Sequence, residues 1–370
     1  MKIALVHEYL TQLGGAERVL ENFLEIWPDA TLYLLVYDKN KTEGRFEKVR
    51  KVTSFLDKFP FVKNHHKLFL ALMPAAIESF RFDDFDLVLS DSSSFAKGVI
   101  TKKPHICYCH TPTRFVWTES ENYMDKQPYP EILKACGRLA LKYIKKWDLR
   151  ASQRPDFFIA NSKNVQDRIK KFYGRGSEVI YPPVDTDFFS PTGGGRQDYY
   201  LVASRLEPYK KVDLVIEAFN DLKLPLKVAG IGTQLGSLKK IARGNIEFLG
   251  RVSDKELKKL YSEAKAFVFP AEEDAGIMML EAQSCGTPVV AFRKGGALEL
   301  VKENVTGIYF NEQTSAAIKQ AITEFKPEIF DPSAIRQFAL QFDKKEFQKN
   351  IRRFVEEKSR QLSGVYSKQI

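Results

Sequence analysis

Short apolar runs recur along the chain, and longer stretches lie between most of them in which apolar residues return every three or four positions. The first pattern fits strands buried on both faces; the second fits amphipathic helices. Their alternation predicts parallel α/β sheets. In the first half the predicted strands are Lys2–His7, Thr31–Tyr37, Leu87–Ser90, His105–Cys109, Phe157–Asn161 and Glu178–Ile180. In the second half they are Tyr199–Ala203, Lys227–Ala229, Ile246–Phe248, Ala266–Phe269, Pro288–Ala291 and Thr306–Tyr309. Val212–Leu222 and Asp254–Ala264 read as connecting helices, and Lys344–Glu357 as a last helix before a frayed "SGVYSKQI". Residues 53 to 80, rich in Phe, Leu and basic groups, read as a pair of helices packed on the first domain.

Pro182-Pro183 and then "SPTGGGR" at 190 to 196 interrupt the pattern where neither strand nor helix would tolerate it. The expected organisation is a Rossmann-like domain over 1–190, a second over 196–343, and a helix and tail over 344–370 that packs back on the first. Doubly wound domains bind ligands at the carboxyl ends of their strands, and two that face each other would form a cleft there.

The 370 residues suit two cores of ordinary size. No apolar run approaches the roughly 18 residues of a spanning helix, and the N-terminus enters a strand at once, so the expectation is a cytoplasmic chain. Four cysteines, Cys107, Cys109, Cys136 and Cys285, form no disulfide framework. His105, Cys107 and Cys109 share a strand face, but no paired C-x-x-C spacing supports zinc, and no metal is expected. The net charge of +10 points to an anionic partner. Lys134, Arg138, Lys142, Lys145, Lys146 and Arg150 fall near one side of a helix, with Leu139, Tyr143, Ile144 and Trp147 on another. This is either a solvated face or one that meets a membrane surface or anionic ligand. Residues 53 to 80 carry the same pair of readings. No RNA motif or aromatic-basic alternation supports nucleic acid.

Candidate chemistry gathers at predicted strand ends. Gly14-Gly15 follows the first strand and opens a helix, where backbone amides can approach a phosphate. "GIGTQLG" at 230 to 236 places its third glycine one position late for a dinucleotide fingerprint and reads as a plain turn. Arg205 stands just past a strand, and Lys210 and Lys211 open the next helix. Cations there are disfavoured by the helix dipole unless an anion neutralises them, which suits a diphosphate. In "PAEEDAGIMMLEAQSCGTP", residues 270 to 288, the amides of Gly276, Ile277 and Met278 open another helix. Glu273 precedes it and Glu281 lies inside it. Carboxylates would repel a phosphate, so these two should meet hydroxyl-rich groups, a sugar and a ribose.

Glu273, seven residues and Glu281, followed by Ala282 and Cys285-Gly286-Thr287-Pro288-Val289-Val290-Ala291, resemble the signature of retaining GT-B glycosyltransferases of family 4. So do Gly14-Gly15-Ala16-Glu17, His110-Thr111-Pro112, Asn161-Ser162, Tyr181-Pro182-Pro183-Val184-Asp185, Ser204-Arg205, Lys210 and Gly250-Arg251-Val252-Ser253. "CYCHTPTRFVW" and "FPAEED" resemble the bacterial and archaeal branch that uses GDP-mannose. The resemblance spans nearly the whole chain. It implies a GT-B fold and transfer of a hexose, most readily mannose from GDP-mannose, to a glycan or lipid-linked glycan. Arg205 and Lys210 would stabilise the leaving diphosphate, Glu273 would hold sugar hydroxyls and Glu281 the ribose. Gly15, with Gly14, would lie against phosphate, His110 near the transferred sugar, and the Val252 backbone against the base. Such enzymes typically need no metal or other cofactor. A lipid-linked acceptor at the inner membrane face, met by a peripheral chain, would fit the basic helix and residues 53 to 80. The family usually carries an aromatic at Ala275, a Pro near Met278 or Met279, and often Gly at Lys211. The loss of the first two predicts a looser loop beside the sugar. A UDP-sugar transferase and a catalytically weak nucleotide-sugar-binding homologue are the alternatives.

Overall fold

The structure is a computed structural model that describes residues 1–118 and 130–366. Its contacts divide the chain into two units, residues 1–181 with 347–370, and residues 182–346.

The first unit holds a seven-stranded sheet: β1 (Ile3–Leu10), β2 (Thr31–Tyr37), β3 (Lys51–Thr53), β4 (Leu87–Ser92), β5 (His105–Cys109), β6 (Phe157–Ala160) and β7 (Glu178–Val179). The order is β3-β2-β1-β4-β5-β6-β7, and every pairing is parallel. Ala4 and Val6 bury on one face of β1, and Ile3 and Leu5 join the cluster on the other, as strand periodicity requires. The first face is covered by residues 53 to 80 and the helix Glu131–Ala151, through Leu56, Met73, Ile77, Ile144 and Trp147. The second is covered by the helix Gly15–Ile26 and the helix Lys344–Tyr366, whose Phe347, Ile351, Phe354 and Val355 follow a helical repeat. Phe23 stacks on Phe347 at 5.8 Å and meets the edge of Tyr108 at 5.6 Å.

The second unit holds a six-stranded parallel sheet: β8 (Tyr200–Ala203), β9 (Leu226–Ala229), β10 (Ile246–Gly250), β11 (Phe267–Phe269), β12 (Val289–Phe292) and β13 (Gly307–Phe310), in the order β10-β9-β8-β11-β12-β13. Val202, Val228, Val268 and Val290 meet Val215, Phe219 and Ile318 in its core. Ser253 and Glu256 form a capping box at the helix Asp254–Glu263.

The structure departs from the sequence reading in four places. The units part at Tyr181 rather than at the glycine-rich segment. Residues 182 to 190 are held by the second unit, where Arg336 donates to the carbonyls of Thr186 and Phe189 at 2.9 and 3.0 Å. Residues 53 to 80 are not two helices but short helical pieces, Phe55–Lys58, Val62–His65, His66–Leu72 and Met73–Glu78. Phe61 adopts a left-handed φ of 64° at one break, and Pro74 fits only the first turn of the last piece. In the helix Glu131–Ala151, Ile144 and Trp147 are buried, but Leu139 and Tyr143 are exposed and do not join them. The last helix runs on to Tyr366, beyond Glu357, and residues 367–370 of the frayed tail lie outside the described residues. Among the described residues no helix is long and apolar enough to cross a membrane.

Candidate active site

Each sheet has a topological switch point, where successive connections leave to opposite sides and the carboxyl ends of two adjacent strands can receive a ligand. In the second unit these strands are β8 and β11. The loop after β8 carries Arg205 and Lys210; the loop after β11 carries Glu273. Lys210 Nζ donates to Glu273 Oε1, so the two loops meet through an ion pair. Arg205 donates to the Tyr209 hydroxyl at 3.0 Å, and Lys210 Nζ lies 5.1 Å from the Tyr209 ring centre. Tyr209 thus ties both cations together; the sequence reading missed it. Lys211 takes a left-handed φ of 55° as it enters the helix Val212–Leu222. Glycine carries no Cβ penalty in that conformation, whereas Lys211 bears one.

Gly230 and Gly232 let the loop after β9 run against the Ser204 carbonyl and the Leu206 backbone. The Gly230 amide reaches the Gly250 carbonyl at 2.7 Å, and Val252 stands two residues beyond Gly250. These glycines therefore serve the close passage of one loop over another.

Gly276 sits at φ 74° as the N-cap of the helix Ile277–Ser284, which begins with Ile277 and Met278. The loop before it is not loose. The Gly296 amide donates to the Glu273 carbonyl at 2.8 Å, and Lys294 pairs with Glu272 at 3.1 Å. A Cβ on Gly296 would press on the Ala275 backbone at 2.9 Å, so the Gly295-Gly296 pair after β12 clamps this loop. Ala275 is buried against that clamp, which corrects the expected slack. The Gly-Gly after a predicted strand was the signal that could have found it. Glu281 is 2 % exposed and accepts from the Tyr261 hydroxyl at 3.3 Å.

In the first unit the adjacent switch strands are β1 and β4. Gly14 caps the helix Gly15–Ile26 in an ordinary extended conformation, so its backbone does not demand glycine. Space is tight: a Cβ there would lie 3.1 Å from Glu17 Oε2, which would have to give by a few tenths of an ångström. His110 follows β5 and is half-buried, with Nε2 2.6 Å from Asp91 Oδ1. Asp91 Oδ2 lies 2.9 Å from His7 Nδ1, and His7 Nε2 lies 3.9 Å from Glu17 Oε1. Burial alone would depress the His7 imidazolium, but its bonds to Asp91 and Glu17 prevail and hold its pKa well above the ordinary value. Burial likewise works against the Asp91 carboxylate, yet the two histidines hold its pKa below the ordinary one. The sequence reading missed His7 and Asp91, which lie 84 positions apart and meet through the β1–β4 register.

His105 does not share this chemistry. It is buried against Ser90 Oγ at 2.8 Å, and burial with the nearby Arg154 and Arg175 pushes its pKa down to about 3. Among the described residues no group of three or more His, Cys, Asp or Glu side chains is arranged to hold a metal ion.

Residues 13–188 match the family Glycosyltransferase Family 4, and residues 184–328 match Glycosyl transferases group 1. An uncharacterized glycosyltransferase of Methanocaldococcus jannaschii is 23% identical over 88% of each chain. The GDP-mannose-dependent alpha-(1-6)-phosphatidylinositol monomannoside mannosyltransferase of Mycolicibacterium smegmatis is 30% identical over 44% of this chain and half of its own length. In fold the chain is similar to the Anabaena protein HepE, solved with UDP-glucose, at a TM-score of 0.71 and 20% identity, covering 96% of this chain and all of that one. It is also similar to the sucrose-phosphate synthase of Thermosynechococcus elongatus, at a TM-score of 0.69 and 16% identity, covering all of this chain and 99% of that one.

Proposed function

We propose that the chain is a glycosyltransferase of the family 4 and group 1 type, whose models it matches over residues 13–328, and that it moves mannose from GDP-mannose to a glycan or lipid-linked glycan with retention of configuration. The observation that carries the reading is the Lys210–Glu273 ion pair at the β8–β11 switch point. It sets a cation for a diphosphate beside a carboxylate for sugar hydroxyls. In this reading Arg205 and Lys210 neutralise the leaving diphosphate together with the helix N-terminus at Gly276, Ile277 and Met278, so no metal is required. Glu273 exchanges Lys210 for donor-sugar hydroxyls and clamps the sugar rather than attacking it. The acceptor hydroxyl attacks from the face that the diphosphate leaves, and a phosphate oxygen takes its proton. Val252 meets the base through its backbone, Gly14 and Gly15 lie against phosphate, and His110 serves the transferred sugar. Glu281 would hold the ribose, for which its buried carboxylate must be uncovered.

The mannosyltransferase similarity supports GDP-mannose; the fold shared with HepE supports a UDP-sugar as the second reading. Thermal shift against GDP-mannose, UDP-glucose and the free diphosphates separates them, because the tighter ligand gives the larger rise. The role assignment predicts that Lys210→Ala and Glu281→Ala each abolish release of nucleoside diphosphate while chelator leaves it intact. Full activity in either variant refutes the assignment.

We also place the enzyme on an anionic membrane surface, at the cytoplasmic face, where a lipid-linked acceptor is presented. Phe59, Phe61 and Leu68 in the first unit are large and exposed, and exposed Lys58 and Lys63 flank them. Leu139 and Tyr143 stand exposed beside Arg138, Lys142 and Lys146 on the helix Glu131–Ala151. Apolar anchors with basic neighbours are what an anionic bilayer receives.

A further inference from the structure

We propose that Glu17, His7 and Asp91 are positioning residues that lock His110 into one tautomer, with Nε2 protonated and Nδ1 presented as a hydrogen-bond acceptor. The inference deepens the glycosyltransferase reading, since it takes His110 as the group that serves the transferred sugar.

The argument starts from Asp91. Its carboxylate is 1 % exposed, and each of its oxygens faces one imidazole nitrogen, His7 Nδ1 at 2.9 Å and His110 Nε2 at 2.6 Å. An ionised carboxylate only accepts, so both nitrogens must carry the protons. A neutral imidazole has one N–H. A neutral His110 that spends it on Asp91 is therefore left with a lone pair on Nδ1. The edge of His110 against the Tyr108 ring, at 5.3 Å and 72°, fixes the ring plane as well.

His7 keeps Asp91 ionised. Two buried carboxylates, Asp91 and Glu17, flank the His7 ring, one at each nitrogen. The imidazolium form satisfies both, and the elevated pKa of His7 agrees with that geometry. With His7 charged, Glu17, His7 and Asp91 sum to one negative charge, and that charge faces His110. That charge holds the Nε2 proton of His110 toward Asp91, so Nδ1 is left to accept a hydrogen bond from a sugar hydroxyl.

The groups that face this cluster come from four elements: His7 from β1, Asp91 from β4, Tyr108 from β5 and Glu17 from the helix Gly15–Ile26. Glu8, the next acid along β1, is engaged elsewhere. It accepts from the Ser92 hydroxyl at 3.1 Å and from the amides of Ser93, Ser94 and Ala96 at 2.8 to 3.0 Å.

The test is long-range proton–nitrogen correlation on the full chain labelled with nitrogen-15 at its five histidines. The expected spectrum shows His110 as the Nε2–H tautomer and His7 doubly protonated at neutral pH. An Nδ1–H tautomer for His110, or a neutral His7, overturns the proposal without any variant. Asp91→Ala is expected to leave His110 as a tautomer mixture and to lower kcat about 100-fold, within the range for losing one oriented hydrogen bond at a reacting centre, with donor KM within about twofold. His7→Leu is expected to shift the pH profile of kcat, and His7→Asn, which keeps a donor where Nδ1 stood but carries no charge, to leave that shift in place. A folded Asp91→Ala protein with an unchanged His110 tautomer overturns the proposal. If no nucleotide sugar is turned over by the wild type, the glycosyltransferase reading fails, while the tautomer spectrum still decides this one.

Discussion

Asp148 offers the sharpest test of how the first unit is held together. Its carboxylate is buried at the end of the helix Glu131–Ala151 and accepts from four groups: Lys97 Nζ at 2.6 Å, Thr113 Oγ1 at 2.7 Å, Trp117 Nε1 at 2.7 Å and Tyr173 Oη at 2.8 Å. Lys97 is 1 % exposed, so Asp148→Ala leaves an ammonium in the interior with its charge unpaired. Breaking a buried pair in this way costs about 3–5 kcal/mol. The three neutral donors lose an acceptor too, at about 1–3 kcal/mol for an isolated case, though these losses do not add in one network. A loss of at least about 3 kcal/mol is a large share of the roughly 5–15 kcal/mol that folded domains have. At about 2–4 °C per kcal/mol for a unit of this size, the melting point should fall by about 6–20 °C.

The assay is built into the sequence. All three tryptophans, Trp27, Trp117 and Trp147, lie in the first unit, so tryptophan fluorescence during guanidinium unfolding reports on that unit alone. Lys97→Met added to Asp148→Ala removes the stranded charge. The double variant should recover about 1–3 kcal/mol of the loss. A single variant that loses under about 1 kcal/mol, or a double variant no more stable than the single, refutes the reasoning. Because Thr113 follows His110 by three residues, the variant should also slow turnover.

Acid sensitivity should come in part from His105. Its folded pKa of about 3 lies below the ordinary 6.5, so between these values the unfolded chain binds the extra proton and stability rises with pH. Urea midpoints of His105→Gln from pH 7 to pH 4 should show a shallower acid limb, by up to about 1.4 kcal/mol per pH unit, and equal slopes refute it. Phe61→Ser should weaken flotation with anionic liposomes about tenfold, the value of one partly inserted aromatic side chain, and more than Ile329→Ser, which alters an exposed apolar residue in the second unit. Equal effects, or no binding of the wild type, would remove the membrane surface from the proposal.

The strands were legible because parallel strands buried on both faces leave short apolar runs that few other structures need. His105–Cys109 and Thr31–Tyr37 coincide with β5 and β2 to the residue. β3 was not legible: Lys51–Thr53 is a short edge strand with half-buried residues and no run to mark it. Residues 53 to 80 misled for a different reason. Their apolar content is real, but Phe61 and Pro74 break the helical path, and periodicity does not register such breaks. The Lys210–Glu273 meeting was half legible. Cations at one strand end and acids at another were visible, but their contact depends on β8 lying beside β11, which is topology rather than pattern.

Gly14 shows the limit most clearly. Glycines before a helix suggest an anion site by their amides, and on sequence alone that is the reading to make. In the fold, the space beside Gly14 holds the Glu17 carboxylate, 3.1 Å from where a Cβ would stand. That carboxylate would repel an incoming phosphate unless a cation compensates it. His7, 3.9 Å from Glu17, supplies one positive charge that it shares with Asp91, so it offsets only part of that repulsion. The proposed phosphate contact at Gly14-Gly15 and the proposed orientation of His110 would then both depend on the same buried imidazolium. Removing the positive charge at His7 should therefore weaken both together, whereas two unrelated sites would respond apart.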